Sequence, residues 1–357
     1  MVFVLARVAA AFIALEGNCQ AGFTPDCWMR ADSGLYLRIA QHGHTLFPWE
    51  GHAGMWQGTA GWAPLYPLFI AVLTALLKTD PAMTALWLSW IFQMAYLLVV
   101  ARLWEVNNFQ LRHWLGISIA AFAPGSIYLH ALFPVSLACF LLALVMLQLR
   151  REKYLSAGVF SCLAVLSYGI GFFLLAVLGM EAFRRWMAEK KLPWYFLLKT
   201  LIPALAGLFL WFGYDQWVTG HWNALFLIQS KYGHGIQSPL KMLGIRWQHL
   251  ISEPFSLSSW IEIQNLTMTA YVLISLFISW KERNRPFVLF EGMWMLFYWF
   301  LPLSASTDVA LYRNSAMLGP AHAMHRKRAA AMLGLMLVVF IVLWYPLGKL
   351  FIYSLLN

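Results

Sequence analysis

The chain has 357 residues, of which 61% are hydrophobic and 11% are charged. A soluble globular domain carries about 25% charged residues, so this composition excludes a soluble protein and predicts an integral membrane protein with one transmembrane domain over residues 1–357. The net charge of +10 does not indicate a nucleic-acid partner, because much of it comes from four short basic clusters that separate apolar runs.

The apolar runs are typical of transmembrane helices, and their number predicts an all-α polytopic helical bundle with about eleven spans. The run 63–78 is short for a span and is bounded by prolines, which predicts a half-inserted helix on the outer face. Two glycines in the segment 167–171 predict a break where the chain turns back. In chain order the runs are 2–16, 63–78, 82–101, 112–129, 132–149, 154–167, 169–183, 194–215, 264–280, 287–303, 310–324 and 329–355.

The basic clusters predict which side of the membrane each loop occupies. By the positive-inside rule, Lys and Arg gather in cytoplasmic loops, so the N-terminus is expected inside and the C-terminus outside. Three polar segments then remain on the outer face, at 17–62, 216–262 and 304–313. The compact chain predicts a bacterial inner membrane with a periplasmic active face, and the endoplasmic reticulum is the alternative. The clusters are 150–153, 184–191, 281–285 and 326–328.

The outer-face segments hold the polar residues that could carry chemistry. The segment 216–262 mixes aromatic and charged residues, which is typical of an amphipathic stretch at the membrane surface. Contact with a lipid phosphate or an acceptor, through residues such as Lys231, is the alternative. In the first segment, Cys19 and Cys27 are close enough in sequence for a disulfide, which secreted or periplasmic loops allow.

Asp32 begins the most informative stretch of the first outer segment. Asp32, Tyr36, Ile39, Ala40 and Gly43 follow helical spacing, and a glycine commonly ends a helix. The carboxylate could simply cap the helix N-terminus. Alternatively, an ionised and partly desolvated aspartate could accept a proton from an attacking hydroxyl.

Two short motifs together resemble a known enzyme family. The first contains Asp32-Ser33, Tyr36, Ile39-Ala40 and Gly43, and the second is Pro64-Leu65-Tyr66-Pro67. In this order they resemble the GPI mannosyltransferase II (PIG-V) family of the GT-C membrane glycosyltransferases. The resemblance implies an inverting transfer of a sugar, with mannose as the default, from a polyprenyl-phosphate donor to a hydroxyl of an acceptor glycan, lipid or protein. The chain departs from the family pattern at Ala31 and Leu35, where tryptophans are usual.

The resemblance also implies roles for individual residues. Asp32 would be the general base, and Arg313 would stabilise the departing lipid phosphate, with Arg38 and Lys231 as further candidates. Membrane-surface snorkelling or an ion pair with Asp308 is the alternative for Arg313. No residue spacing supports a firm metal site, so the metal dependence stays open. The residues expected to line the sugar and acceptor pocket are Tyr36, His42, His44, Trp62, Tyr66, His130 and Tyr168.

Two other functions fit a polytopic membrane chain. A transporter or lipid-linked-sugar flippase is one, although the sequence has no internal repeat and its ionisable residues gather mostly at loops, whereas transporters carry them within spans. A non-catalytic GT-C relative that acts as an assembly partner is the other, and the missing tryptophans keep it open.

Overall fold

The computed structural model describes the chain except for residues 18, 20–21, 31, 53, 106–109, 231–235, 255, 257–258, 286, 306–310 and 354–357. The fold is 78% helical, which confirms the predicted all-α class. One antiparallel hairpin is the only sheet in the described part, and it pairs Leu46 with Gly58 and Pro48 with Trp56. A large hydrophobic core extends from Val2 to Ile352.

The regular elements follow one another in this order: α1 Val2–Glu16, α2 Pro25–Trp28, α3 Ser33–His42, β1 Leu46–Pro48, β2 Trp56–Gly58, α4 Leu65–Leu77, α5 Pro81–Leu103, α6 Leu111–Ala121, α7 Val135–Arg150, α8 Tyr154–Ser167, α9 Phe173–Glu189, α10 Trp194–Phe196, α11 Ile202–Thr219, α12 Ala224–Ser230, α13 Pro239–Ser252, α14 Ser259–Lys281, α15 Val288–Ser304, α16 Leu311–Asn314 and α17 Ala330–Ile352. A π-helical turn at Leu197–Leu201 joins α10 to α11, and 3-10 helices occur at Pro124–Leu129, Gly169–Phe172 and Ser315–His325.

Four helices are long and apolar enough to cross a membrane, by length and composition: Pro81–Leu103, Trp194–Thr219, Ser259–Lys281 and Ala330–Ile352. The chain is therefore a membrane protein. Shorter apolar helices lie at Leu65–Leu77, Val135–Arg150, Tyr154–Ser167 and Val288–Ser304. The number of about eleven spans stays a prediction.

Two of the predicted apolar runs do not form single helices. The run 112–129 divides into α6 and the 3-10 helix Pro124–Leu129, and the run 310–324 forms α16 and the 3-10 helix Ser315–His325. Proline lacks a backbone N–H and disfavours a helical conformation in the residue before it, so Pro124 interrupts the first run. Both segments are buried inside the bundle, where other parts of the protein can satisfy their backbone groups.

Residues of all four basic clusters are linked by contacts to one end of the bundle. Arg150 at the end of α7 pairs with Glu291 in α15, and Arg326 lies 3.2 Å from Glu105 and 3.9 Å from Glu291. Arg328 pairs with Glu282, which also pairs with Arg285. Arg185 donates a hydrogen bond of 3.0 Å to the Tyr154 hydroxyl at the start of α8. We call this end of the bundle the basic end.

Removing the carboxylate of Glu291 is expected to destabilise the fold strongly. The Glu291 side chain is fully buried and pairs with Arg150 and Arg326. Glu291→Gln therefore removes the buried counter-charge of the two arginines and leaves them the exposed Glu105. Breaking a buried pair in this way costs about 3–5 kcal/mol. Thermal unfolding in detergent measures the loss. The control is the exposed Glu189→Gln in α9, and an equal effect of both variants would contradict the structural role.

The opposite end of the bundle brings together parts of the predicted outer-face segments. Helices α8, α15 and α17 begin at the basic end, so their last residues lie at the far end. There Arg30 Nε donates to the Ile352 carbonyl oxygen at 3.1 Å, and the backbone N–H of Gln237 donates to the Ser304 carbonyl oxygen at 2.7 Å. The predicted break after Ser167 is also present at this end, where Tyr168 is extended with φ −158° and ψ 144°.

Candidate functional site

Asp32 lies at the N-terminus of α3, as its spacing predicted, and Gly43 ends the helix with φ +78°. The capping alternative is wrong for the side chain, because the Asp32 carboxylate makes no hydrogen bond to the first turn. Its Oδ2 atom instead accepts from Arg313 Nη1 at 3.5 Å, across 281 positions of sequence. The Asp32 side chain is 37% exposed and that of Arg313 is 8% exposed. The pair therefore offers a carboxylate that a substrate can reach, beside a buried guanidinium.

Arg313 is surrounded by aromatic rings. Its guanidinium carbon lies 4.8 Å from the ring centre of Tyr128, 5.0 Å from Phe133 and 5.9 Å from Tyr312. Such cation–π contacts stabilise a desolvated cation. The snorkelling alternative for Arg313 is wrong, because the side chain is buried within the bundle rather than extended to its surface. Asp308, the alternative partner, lies outside the described residues.

A close backbone crossing holds Arg313 against Tyr128. The N–H of Gly125 donates to the Ser315 hydroxyl oxygen at 2.6 Å. A side chain at position 125 would collide with the Tyr312 carbonyl oxygen, so only glycine allows this approach without a shift of the chain. The two buried segments that split the predicted apolar runs therefore meet here, and their crossing positions the cation of the site.

Tyr36, Tyr66 and Tyr168 form an aromatic wall beside the pair, as the sequence predicted for pocket residues. Tyr36 packs edge-on to Tyr66 at 5.7 Å and to Phe133 at 5.3 Å, and Phe133 packs against Tyr168 at 5.9 Å. Burial, with the nearby Tyr168 and Asp32, raises the pKa of Tyr36 well above its usual value. Its phenol therefore stays neutral at physiological pH. Sequence reasoning missed Tyr128 and Phe133, and only their place beside the predicted His130 pointed to them.

His130 is close in sequence to Phe133 of this aromatic wall, and its side chain is inaccessible to solvent. The residue is fully buried, its ring packs against Trp28 at 5.6 Å, and its Nε2 atom lies 3.2 Å from Gln93 Nε2. His130 therefore belongs to the support of the site rather than to its open surface.

The other predicted residues lie away from the Asp32–Arg313 pair. His42 and Arg38 are exposed on α3, and Lys231 lies outside the described residues. His44 precedes the hairpin and Trp62 follows it. The Trp62 carbonyl oxygen is 2.9 Å from His44 Nε2. His42, His44, Trp62 and Arg38 were predicted to belong to the donor and acceptor site. No contact of the described structure joins any of the four to Asp32 or Arg313.

His44 borders an apolar cavity between α3, α4, α8 and α11. The cavity has a volume of about 270 Å³, and the Tyr214 hydroxyl lies 2.9 Å from His44 Nδ1 at its edge. A carbonyl oxygen can only accept, so His44 Nε2 carries the proton that is donated to Trp62, and Nδ1 accepts from Tyr214. The other lining residues are Ile39, Ala40, Pro64, Leu65, Pro67, Leu68, Ala71, Leu166 and Leu210.

Acidification is expected to destabilise the fold through His44. Burial lowers the pKa of His44 to about 4, against about 6.5 in an unfolded chain. The unfolded state therefore binds more protons between these values, and the stability contribution of neutral His44 is lost as the pH falls from about 6.5 to about 4. Thermal unfolding at pH 7 and pH 5 measures the loss. It should be smaller in His44→Gln than in the wild type, and an equal loss in both would contradict this assignment.

Two further features of the first outer segment bear on the site. Cys19 and Cys27 form a disulfide, which settles the option left open by their spacing. Among the described residues, no group of three or more His, Cys, Asp or Glu side chains could hold a metal ion.

Sequence reasoning also missed several ionisable side chains buried in the bundle. Arg7 in α1 is 6% exposed, and Asp215 in α11 and His322 in the last 3-10 helix are fully buried. The expectation that ionisable residues gather at loops is therefore too simple. The sequence signal that could have indicated these buried side chains is a single ionisable residue inside a long apolar run.

Comparison with known proteins adds no family assignment. No family model matches the chain, and no curated protein matches it.

Proposed function

We propose that this chain is an inverting membrane glycosyltransferase of the GT-C type, resembling the PIG-V family. It moves a sugar, by default mannose, from a polyprenyl-phosphate donor to an acceptor hydroxyl, with Asp32 as general base and Arg313 as the ligand of the donor phosphate. The observation that carries this proposal is the contact of 3.5 Å between the Asp32 carboxylate and the Arg313 guanidinium. The proposal includes the predicted arrangement of about eleven spans with α4 half inserted.

An inverting displacement needs a base and a phosphate-binding cation on opposite faces of the anomeric carbon, and Asp32 and Arg313 supply one group of each kind. The acceptor oxygen attacks the anomeric carbon as its proton passes to the Asp32 carboxylate, and the bond from that carbon to the phosphate oxygen breaks with its electron pair. A phosphate leaving group needs charge stabilisation more than it needs an acid. The planar, permanently charged guanidinium of Arg313 suits a phosphate. The two roles require the anomeric carbon to lie between Asp32 and Arg313, with the phosphate on the Arg313 side, so the contact of 3.5 Å must open when the donor binds.

The apolar cavity beside α3 supports a donor with a lipid chain. Its walls come mostly from Leu, Pro and Ala side chains of four helices, and the cavity shares α3 with Asp32. A polyprenyl tail consists of hydrocarbon, so its burial in such a site is favourable. This cavity would hold part of the tail.

The two ends of the bundle support a periplasmic site in a bacterial inner membrane. The basic end carries the clusters that the positive-inside rule assigns to the cytoplasm. The Asp32–Arg313 pair lies at the opposite end, and so does the Cys19–Cys27 disulfide. Disulfides persist in the periplasm and in the lumen of the endoplasmic reticulum, and the second of these remains the alternative location.

The experiment that tests the function is a transfer assay on membranes. Membranes from cells that express the chain, and from matched cells that lack it, are incubated with radiolabelled polyprenyl-phosphate mannose and endogenous acceptors. The proposal predicts labelled product only with the chain present. Equal labelling of both membranes would overturn it for this donor.

A transporter or lipid-linked-sugar flippase remains the second candidate, because ionisable side chains are buried within the bundle. Both carboxylate oxygens of Asp215 and the Nε atom of Arg7 are buried without a hydrogen-bond partner in the described structure. Intramembrane ionisable residues often mark transport pathways. These residues do not lie together along one described path, whereas Asp32 and Arg313 form a single site, so the enzyme is favoured.

A non-catalytic assembly partner would use the same pair only as a structural ion pair. Such pairs are most effective when both groups are shielded from water. Asp32 is 37% exposed and its carboxylate does not cap α3, so its placement favours chemistry over structure.

A further inference from the structure

The hairpin between α3 and α4 carries a concave aromatic surface that the Asp32–Arg313 pair does not use. It borders an open space of about 470 Å³, so a ligand here would keep one side in water. We call it the hairpin concavity, and its principal residues are Trp49, Gly51, His52, Gly54, Met55 and Trp56.

The hairpin is anchored firmly enough to present a preformed surface. Across its base, the backbone N–H of Thr59 donates to the Thr45 carbonyl oxygen at 2.8 Å, and near the tip the N–H of Trp49 donates to the Met55 carbonyl oxygen at 2.8 Å. A small buried cluster packs the chain after β2 against α12, through Ala60, Ala224 and Ile228. A ligand therefore meets strands that are already held together by hydrogen bonds, which lowers the entropy cost of binding.

The chemistry of the hairpin concavity suits a neutral ring that has an apolar face and a polar edge. Trp49 and His52 stack at 3.8 Å, and Trp56 meets His221 edge-on at 4.8 Å. The negative faces of aromatic rings attract C–H groups, and the C–H face of a pyranose has this character. Gly51 and Gly54 carry no side chain, and a Cβ at either would meet nothing within 4 Å, so a sugar ring could approach the backbone there.

Insertion of the tip into lipid is a poorer explanation of these aromatic residues. Glu50 is exposed at the tip, beside the exposed His52. A carboxylate is costly to move into the hydrocarbon region. The tip is therefore built for water and a polar ligand rather than for the membrane interior.

We propose that the hairpin concavity binds a saccharide, and that this saccharide is part of the acceptor. This inference rests on the proposed function. Helix α3 has 10 residues between Asp32 and the hairpin, a length of about 15 Å. An acceptor that touches both places must span several sugar rings, so the acceptor class is an oligosaccharide rather than a monosaccharide or a serine side chain.

Binding can be tested without transfer by using the purified Asp32→Asn chain in lipid nanodiscs. The probes are the neutral tetrasaccharides α-mannotetraose and cellotetraose, followed by saturation-transfer NMR on the sugar protons. At least one probe is expected to bind. Trp49→Ala should weaken that binding about tenfold or more, as loss of an aromatic anchor does. The control is Trp217→Ala, whose ring is 82% exposed on the same end of the bundle, and it should bind as before.

A second variant keeps the test valid if Trp49→Ala fails to fold. His52→Ala removes only the stacking partner of Trp49 and should also weaken binding. The inference is overturned if neither tetrasaccharide binds. It is also overturned if aqueous iodide quenches the wild type and Trp49→Ala equally in vesicles without sugar, because the hairpin would then lie in lipid. Saccharide binding together with absent sugar transfer would instead count against the proposed function alone.

Discussion

Replacing Asp32 with asparagine is expected to abolish sugar transfer while the chain still folds and inserts. Asparagine matches the size of aspartate, and its amide oxygen can still accept from Arg313 Nη1, so the contact at 3.5 Å can persist. It cannot accept the proton of the acceptor hydroxyl. Loss of a positioned general base lowers the rate about 10²–10⁴-fold, and transfer from radiolabelled polyprenyl-phosphate mannose measures it.

Asp26→Asn is the matched control for this experiment. Asp26 lies in the same outer segment, in α2, with an exposed side chain, and it has no part in the proposed site. The Asp26→Asn variant should transfer sugar at the wild-type rate. Normal transfer by Asp32→Asn would remove Asp32 from the mechanism, whereas equal losses in both variants would indicate that the loop as a whole had been disturbed.

Replacing Arg313 with lysine is expected to lower transfer about a hundredfold, the usual effect of losing one preorganised group that stabilises developing charge. Lysine keeps the positive charge but has no planar face. The guanidinium lies about 5 Å from the ring centres of both Tyr128 and Phe133. A lysine ammonium cannot stack on these rings, and it cannot form a bidentate hydrogen bond with a phosphate. The loss should appear mainly in the KM for the donor if Arg313 binds the ground-state phosphate, and in kcat if it acts on the leaving group.

Arg38→Lys provides the comparison, because Arg38 was the other arginine candidate for the donor phosphate. Its side chain is exposed on α3, so the substitution should change transfer little. A larger loss in Arg38→Lys than in Arg313→Lys would move the phosphate site to the surface of α3. The double variant Asp32→Asn with Arg313→Lys should lose less than the product of the two single losses, because both residues act on one event.

Local sequence patterns predicted α3 and the nearby turns well. The helical spacing of Asp32, Tyr36 and Ile39 predicted a helix that starts near Asp32 and is closed by a glycine, and the observed α3 spans Ser33–His42. The glycines after Ser167 predicted the break between α8 and α9. These features depend on backbone preferences within a few residues, which a single sequence contains.

Long-range packing could not be predicted in the same way. Hydropathy treated 112–129 and 310–324 as spans, since it counts apolar residues and does not register that Gly125 must approach the Tyr312 carbonyl oxygen. The direct contact of Arg313 with Asp32, across 281 positions, was not predicted, and the alternative partner Asp308 lies outside the described residues. The family resemblance placed Asp32 and Arg313 in one site, but a single sequence gives no pattern for contacts between distant residues, so Tyr128 and Phe133 were missed.

The measurement that tests the central claim most directly follows one labelled donor on purified protein. The chain is reconstituted in liposomes with radiolabelled polyprenyl-phosphate mannose and an acceptor fraction extracted from the same membranes. The account predicts that label leaves the lipid and becomes covalently attached to the acceptor as polyprenyl phosphate is released, and that Asp32→Asn stops this. Label that stays on intact lipid and appears in the opposite leaflet would contradict the account and identify a flippase.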